Sequence, residues 1–154
     1  MVKHASVVLL LLTCTTAFPA EENLEFRFVT MPAEVHRLDA PNIPGQMVAA
    51  NKMKGAAFFK DGRIATMDFV LVQDLNKGTG TMFGYTTYQF EEGSSIITRF
   101  DIKATSGQPI QGEYAVLSGT GKYAGVKGTG RFNGVPAKFE GAFLNSGSFK
   151  LTTP

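Results

Sequence analysis

The sequence predicts an all-β protein, a closed antiparallel barrel of about eight strands, and three observations carry that expectation. Short apolar segments follow one another between turn signals, among them Asp61-Gly62, the strongest short hairpin signal. No segment carries a 3.6-residue apolar period. Seventeen glycines and 13 phenylalanines accompany this pattern, and seven of the glycines fall between positions 112 and 134, where they mark tight turns, bulges and close backbone approach. Strands in serial hairpins bury their edges by closing on themselves.

At the start of the chain, Lys3 and His4, the apolar run 5–12 and Thr15-Thr16-Ala17 follow the order of a secretory signal peptide. The expectation is a leader at 1–17, cut after Ala17 or alternatively Ala20, and a single domain at 18–154. The run is too short to span a bilayer. The product is then secreted or periplasmic. A lipid anchor through Cys14 is the alternative, although Thr13 is the wrong small residue for a lipoprotein box. Cys14 is the only cysteine, so cleavage after Ala17 excludes disulfides, thiolate nucleophiles and cysteine metal sites.

Leu24, Phe26 and Phe28 alternate with Glu25 and Arg27, the pattern of a half-buried strand. Residues 31–45 hold Pro32, Pro41 and Pro44 and read as a long irregular connection. Strands are expected at 52–60, 64–72, 81–90, 95–104 and 110–117. Three more follow the glycine-rich segment, at 127–133, 136–144 and 148–152, which makes eight or nine in all. An outer-membrane barrel is the rival closed form, but it needs lipid-facing apolar rows and long outer loops, and here the turns are short.

The formal charge is +2, or +1 once Lys3 leaves with the leader, and no basic stripe exists for nucleic acid. His36 is then the only histidine and reads as a solvated loop residue, so no metal site is expected. Gly119-Thr120-Gly121-Lys122-Tyr123-Ala124 matches a loose dinucleotide fingerprint. That fingerprint needs a helix directly after it, and Gly125, Gly128 and Gly130 are poor helix sequence. The expectation is a protein without cofactor.

Face assignments supply the candidate site. In 96–104, Ile96, Thr98, Phe100 and Ile102 face an interior while Arg99, Asp101 and Lys103 face water. In 64–72, Ala65, Met67, Phe69 and Leu71 form a wholly apolar face. The opposite face, Ile64, Thr66, Asp68, Val70 and Val72, is apolar except at its centre. If that second face points inward, Asp68 is a carboxylate in an apolar cavity with a raised pKa, able to orient a polar head group or move a proton unless Arg99 or Arg131 reaches it. An exposed Asp68 on the outer face is the other reading. Asp68 and Glu113 are the candidate catalytic carboxylates. Tyr88, Tyr114, Phe100 and Arg99 are the candidate ligand-binding residues, the tyrosines because they present an apolar ring with a polar tip.

The segment Glu113-Tyr114-Ala115-Val116-Leu117-Ser118-Gly119-Thr120-Gly121-Lys122-Tyr123-Ala124-Gly125, continuing to Gly128, resembles the signature of the allene oxide cyclase-like barrels. It is also similar to the matching segment of the dirigent proteins, which share that calycin-like barrel. Ser118 stands where the first of a glycine pair usually stands. The resemblance covers about 20 residues closely and implies the barrel, a Glu at position 113 and a homotrimer. It implies either of two activities: shaping a reactive lipid epoxide, or steering the coupling of phenols. Neither family's constellation is matched residue by residue, and a fold does not fix a function. Three readings follow: a secreted barrel that binds a small apolar or phenolic molecule, a cofactor-free isomerase or cyclase, and a structural or interaction barrel with a filled interior.

Overall fold

The computed structural model describes residues 19–154; the leader expected at 1–17, with Cys14, lies outside them. Eight strands follow in order: β1 Ala20–Asp39, β2 Gln46–Phe59, β3 Ile64–Asn76, β4 Thr79–Phe90, β5 Ser95–Ala104, β6 Ile110–Thr120, β7 Lys127–Pro136 and β8 Phe143–Thr153. Each pairs antiparallel with its sequence neighbour, and β1 pairs with β8 to close the barrel. One short 3-10 turn, Gly121–Tyr123, sits between β6 and β7.

The Asp61-Gly62 turn forms as expected, with Gly62 at φ +90 and the Gly62 N–H donating to the Phe59 carbonyl. Two other expectations are corrected. Residues 31–39 are not an irregular connection but the second half of β1, paired with β2 as far as Asp39↔Met47. Pro32 is tolerated because β8 pairs with β1 only as far as Thr30, so beyond that point β1 is an edge strand. A bulge at Ala33, between the pairs Pro32↔Met53 and Glu34↔Lys52, shifts the alternation of faces by one residue. The separate strand expected at 136–144 does not exist either. Residues 137–142 are the β7–β8 loop, and β8 is one continuous strand.

Alternation along each strand sends one set of side chains inside. The interior set is Leu24, Phe26 and Phe28 on β1, Met53, Ala57 and Phe59 on β2, and Ala65 and Met67 on β3. It continues with Tyr88 and Phe90 on β4, Ile96 and Phe100 on β5, Tyr114 on β6, and Phe149 and Leu151 on β8. Aromatic rings fill it in a connected stack, including Phe26–Phe59 at 4.9 Å, Phe26–Phe149 at 4.9 Å, Tyr88–Phe149 at 5.2 Å and Tyr114–Phe132 at 4.6 Å between centroids. Each such pair adds about 0.5–1.5 kcal/mol beyond its buried area.

Room for these rings comes from glycines on neighbouring strands. A Cβ on Gly84 would stand 2.5 Å from the Phe100 ring and 1.9 Å from the Val70 carbonyl oxygen. A Cβ on Gly112 would stand 2.3 Å from the Phe132 ring. Gly84 and Gly112 are therefore seats for aromatic side chains.

Candidate functional site

The two ends of the barrel differ. The end with the turns at 60–63, 91–94 and 121–126, where Ala20 pairs with Thr153, is plugged. Tyr123 and Val126 are buried there, and Tyr123 stacks on Phe90 with centroids 5.2 Å apart. Arg63 caps this layer. Its guanidinium lies 5.9 Å from the centroids of both Phe59 and Phe90 and donates to Tyr123 Oη, Asp61 and Glu22. The Arg63 hydrogen bonds, first, hold the Asp61 carboxyl below its usual range, and the Asp61 carboxylate in turn raises Arg63. Burial pushes the Tyr123 phenol up to about 12, against the opposing pull of Arg63.

The opposite end is not filled. An apolar cavity of about 80 Å³ remains in that half of the barrel. Its walls are Phe28, Met53, Met67, Phe69, Met82, Phe100 and Phe132, with Tyr114, Thr86, Thr30, Gln73 and Asn145 as polar points. At its floor, Tyr88 Oη donates to Tyr114 Oη at 2.8 Å, both side chains being buried. Burial, first, drives both phenols well above their ordinary range. Both therefore stay neutral, and Tyr114 retains a hydroxyl proton to offer into the cavity. Toward the mouth, Asn51 Nδ2 donates to Gln73 Oε1 at 3.0 Å, and Gln73 Nε2 lies 3.5 Å from the Met82 sulfur. Asn51 Oδ1 and Thr98 Oγ1 are buried without a hydrogen-bond partner among the described residues. Buried polar atoms left without a partner in this way are costly.

Of the residues singled out in the sequence, Tyr88, Tyr114 and Phe100 are brought together inside the barrel. The other three are outside. The inward face of β3 is Ala65, Met67, Phe69 and Leu71, so Ile64, Thr66, Asp68 and Val70 point outward and Asp68 is exposed. The condition under which Asp68 would stand in an apolar cavity is not met. The uninterrupted apolar face went inside and left the face with the charge to water. On that outer face Ile64 is 37% and Val70 44% exposed in the single chain.

Glu113 lies on the outer face of β6, opposite Arg131 of β7, within a broad outer saddle of about 1470 Å³. This saddle is larger than the interior cavity but open, and charged and polar side chains dominate its lining. Arg99 is outside too. Its guanidinium lies over Phe83, donates to Asp101 and to Tyr85 Oη, and is raised by the Asp101 carboxylate first. No carboxylate lines the interior cavity among the described residues.

Gln73, Asn51, Thr86 and the three methionines were not singled out in the sequence. One signal existed for Gln73: extending the inward alternation 65, 67, 69, 71 by one step lands on it.

No protein-family model matches the chain, and no curated protein matches it. Solved structures do. The pterocarpan synthase dirigent protein GePTS1 superposes with a TM-score of 0.58 at 13% identity, covering 96% of this chain and 98% of that one. The pterocarpan synthase dirigent protein PsPTS1 gives 0.54 at 15% identity, covering 86% and 94%. The chain thus has the closed eight-stranded barrel seen in dirigent proteins, and at these identities the likeness is one of fold. The dirigent side of the sequence resemblance is the one these structures support; they do not specifically support the allene oxide cyclase side.

Proposed function

We propose that this protein is a secreted or periplasmic barrel that binds a small apolar or phenolic molecule in the unplugged half of its interior, without a cofactor. The observation that carries the reading is the cavity itself: apolar walls, one neutral tyrosine hydroxyl at its floor and a few polar side chains, Thr30, Gln73, Thr86 and Asn145, in its lining. This combination suits a ring with one hydroxyl, which accepts from Tyr114. The likeness to dirigent barrels, which steer the coupling of phenols, favours the same ligand class.

At about 80 Å³ the cavity is smaller than the ~150 Å³ that holds a benzene or the ~300 Å³ and more of ordinary ligand pockets. Entry therefore requires wall side chains to move. Met53, Met67 and Met82 are unbranched and adapt most easily. A second reading, a structural or interaction barrel, is favoured by the ring stack that fills the rest of the interior. The isomerase or cyclase reading lacks an interior carboxylate.

Methyl resonances of the methionines separate the first two readings. Titration with 4-ethylphenol should shift the signals of Met53, Met67 and Met82 and leave exposed Met31 unmoved, and saturating ligand should raise the melting temperature by several degrees. Tyr114→Phe should weaken 4-ethylphenol more than ethylbenzene. If neither compound moves any methionine signal, the barrel is filled and the binding reading falls.

A further inference from the structure

The interior cavity offers hydrogen-bond protons and withholds fixed acceptors. Five polar side chains reach its wall: Tyr114, Gln73, Asn145, Thr30 and Thr86. Tyr114 Oη already accepts from Tyr88 and keeps its own proton for the cavity. Gln73 Oε1 is occupied by Asn51 Nδ2 at 3.0 Å. Asn145 is engaged elsewhere. Its Nδ2 donates to the Phe28 and Phe143 carbonyls, and its Oδ1 occupies the place where a Cβ on Gly134 would stand. Thr30 and Thr86 carry rotating hydroxyls that donate or accept with equal ease, so they suit either kind of guest.

Gln73 is held in one orientation. Ala49 faces it from β2 and Met82 from β4, and Asn51 stands two residues along from Ala49. Asn51 is only 8% exposed, so its grip on Gln73 Oε1 is screened from water. On the other side Gln73 Nε2 lies 3.5 Å from the Met82 sulfur. Turned the other way, the Gln73 carbonyl would face a thioether, which has no proton to give. The orientation present is thus the one in which both contacts have a donor. The second Nε2 proton has no acceptor among the described residues. The cavity therefore presents two fixed protons, one on Tyr114 at the floor and one on Gln73 toward the mouth.

We propose that this cavity selects a neutral aromatic guest whose polar atoms only accept, an aryl ketone or aryl ester, and that Gln73 makes the selection. The inference rests on the binding reading above and narrows it. A ketone oxygen accepts from Gln73 Nε2 without bringing a proton that needs a partner. A phenol accepts too, from Tyr114, but its own proton must then find a threonine hydroxyl or go unmatched in an apolar space, which is costly. A carboxylate guest fails for another reason. No cation lines the cavity among the described residues, so its charge would be buried unpaired. Sites that match a guest's hydrogen bonds discriminate far more strongly than sites that match only its size.

Ethylbenzene, 4-ethylphenol and acetophenone, probes of similar size, test the selection when each is titrated against the methionine methyl resonances. Acetophenone should bind about tenfold or more tighter than ethylbenzene, and tighter than 4-ethylphenol. Its carbonyl stretch should lie at lower frequency in the complex than in a hydrocarbon solvent, the signature of an accepted hydrogen bond. In Gln73→Leu the advantage over ethylbenzene should fall to about twofold or less, with the frequency shift lost and ethylbenzene affinity unchanged. Gln73→Met, closer in shape, should behave alike and replaces Gln73→Leu if that variant melts early. Binding of 4-ethylphenol as tight as that of acetophenone overturns the selection and leaves the binding reading standing. An acetophenone advantage that survives both Gln73 substitutions overturns the role of Gln73. Three probes that move no methionine signal bring down the selection and the binding reading together.

Discussion

Asp68 shows how far a single residue can be read. Alternation gives two faces for β3, one wholly apolar and one apolar except for Asp68, but a period of two does not say which face is inside. The answer lies on other strands: Phe100 of β5 meets Phe69, with ring centroids 6.0 Å apart, so the Phe69 face is the interior one. With Asp68 exposed opposite Lys54 and Thr87, Asp68→Asn and Asp68→Leu should each change stability by no more than about 0.5 kcal/mol. Neither should alter binding of 4-ethylphenol. Thermal melts with and without the phenol check both, and a clear loss of binding in either variant would return Asp68 to the site. Tyr88 and Tyr114 fall on the inward alternation of their strands, whereas Tyr85, one step out of phase with Tyr88, is 47% exposed on the outside. Their mutual hydrogen bond was not legible, since Tyr88 and Tyr114 belong to different strands separated by β5.

At the scale of the strand, most of β2 to β7 was legible from turn chemistry and alternation. The two misjudged stretches share a cause. Proline was read as a break at 32 and as a strand start at 136, but what decides is whether a ladder partner needs the missing N–H. β1 has no partner on its far side beyond Thr30, so Pro32 breaks nothing. The glycines of the sheet were recognised as sites of close approach, while their partners, the rings, were not assigned. Gly84 of β4 offers the sharpest test. Any Cβ there meets both the Val70 carbonyl and the Phe100 ring. Gly84→Ala should destabilise by about 1–3 kcal/mol, the usual range for overpacking, whereas the same change at exposed Gly62 acts only through its backbone conformation. Urea melts of Gly84→Ala, alone and with Phe100→Leu, decide the mechanism: if the ring is the obstacle, the second substitution should recover part of the loss.

At the scale of the whole molecule, the fold was legible in about 20 residues of signature although overall identity to the similar structures is only 13–15%. Strand spacing and turn glycines determine a barrel, whereas the cavity is built by one or two residues from each of many strands, and no linear pattern announces that assembly. The filled interior also sets how the molecule responds to base. Tyr88 and Tyr114 are held protonated by burial, with values raised above the 10.0 of an exposed phenol. The unfolded chain releases those protons from about pH 10, while the folded barrel keeps them. Stability is therefore fully present below pH 10 and falls as pH rises above it. Melting temperatures should decline from pH 10 upward, and less steeply in Tyr88→Phe. An equally steep decline in Tyr88→Phe would count against the buried pair.

The seam between β1 and β8 has a consequence for how the chain is made. It joins Ala20 to Thr153, so the first strand must wait for the last residues before its outer edge is covered. At roughly 5–20 residues per second a ribosome leaves that strand unmatched for seconds, and contacts so distant in sequence form slowly. A nascent chain stopped before β8 is therefore not a slightly smaller barrel but an open sheet with two bare edges, ready to pair with its neighbours. The eleven residues of β8 act as the latch that turns an aggregation-prone ribbon into a closed molecule.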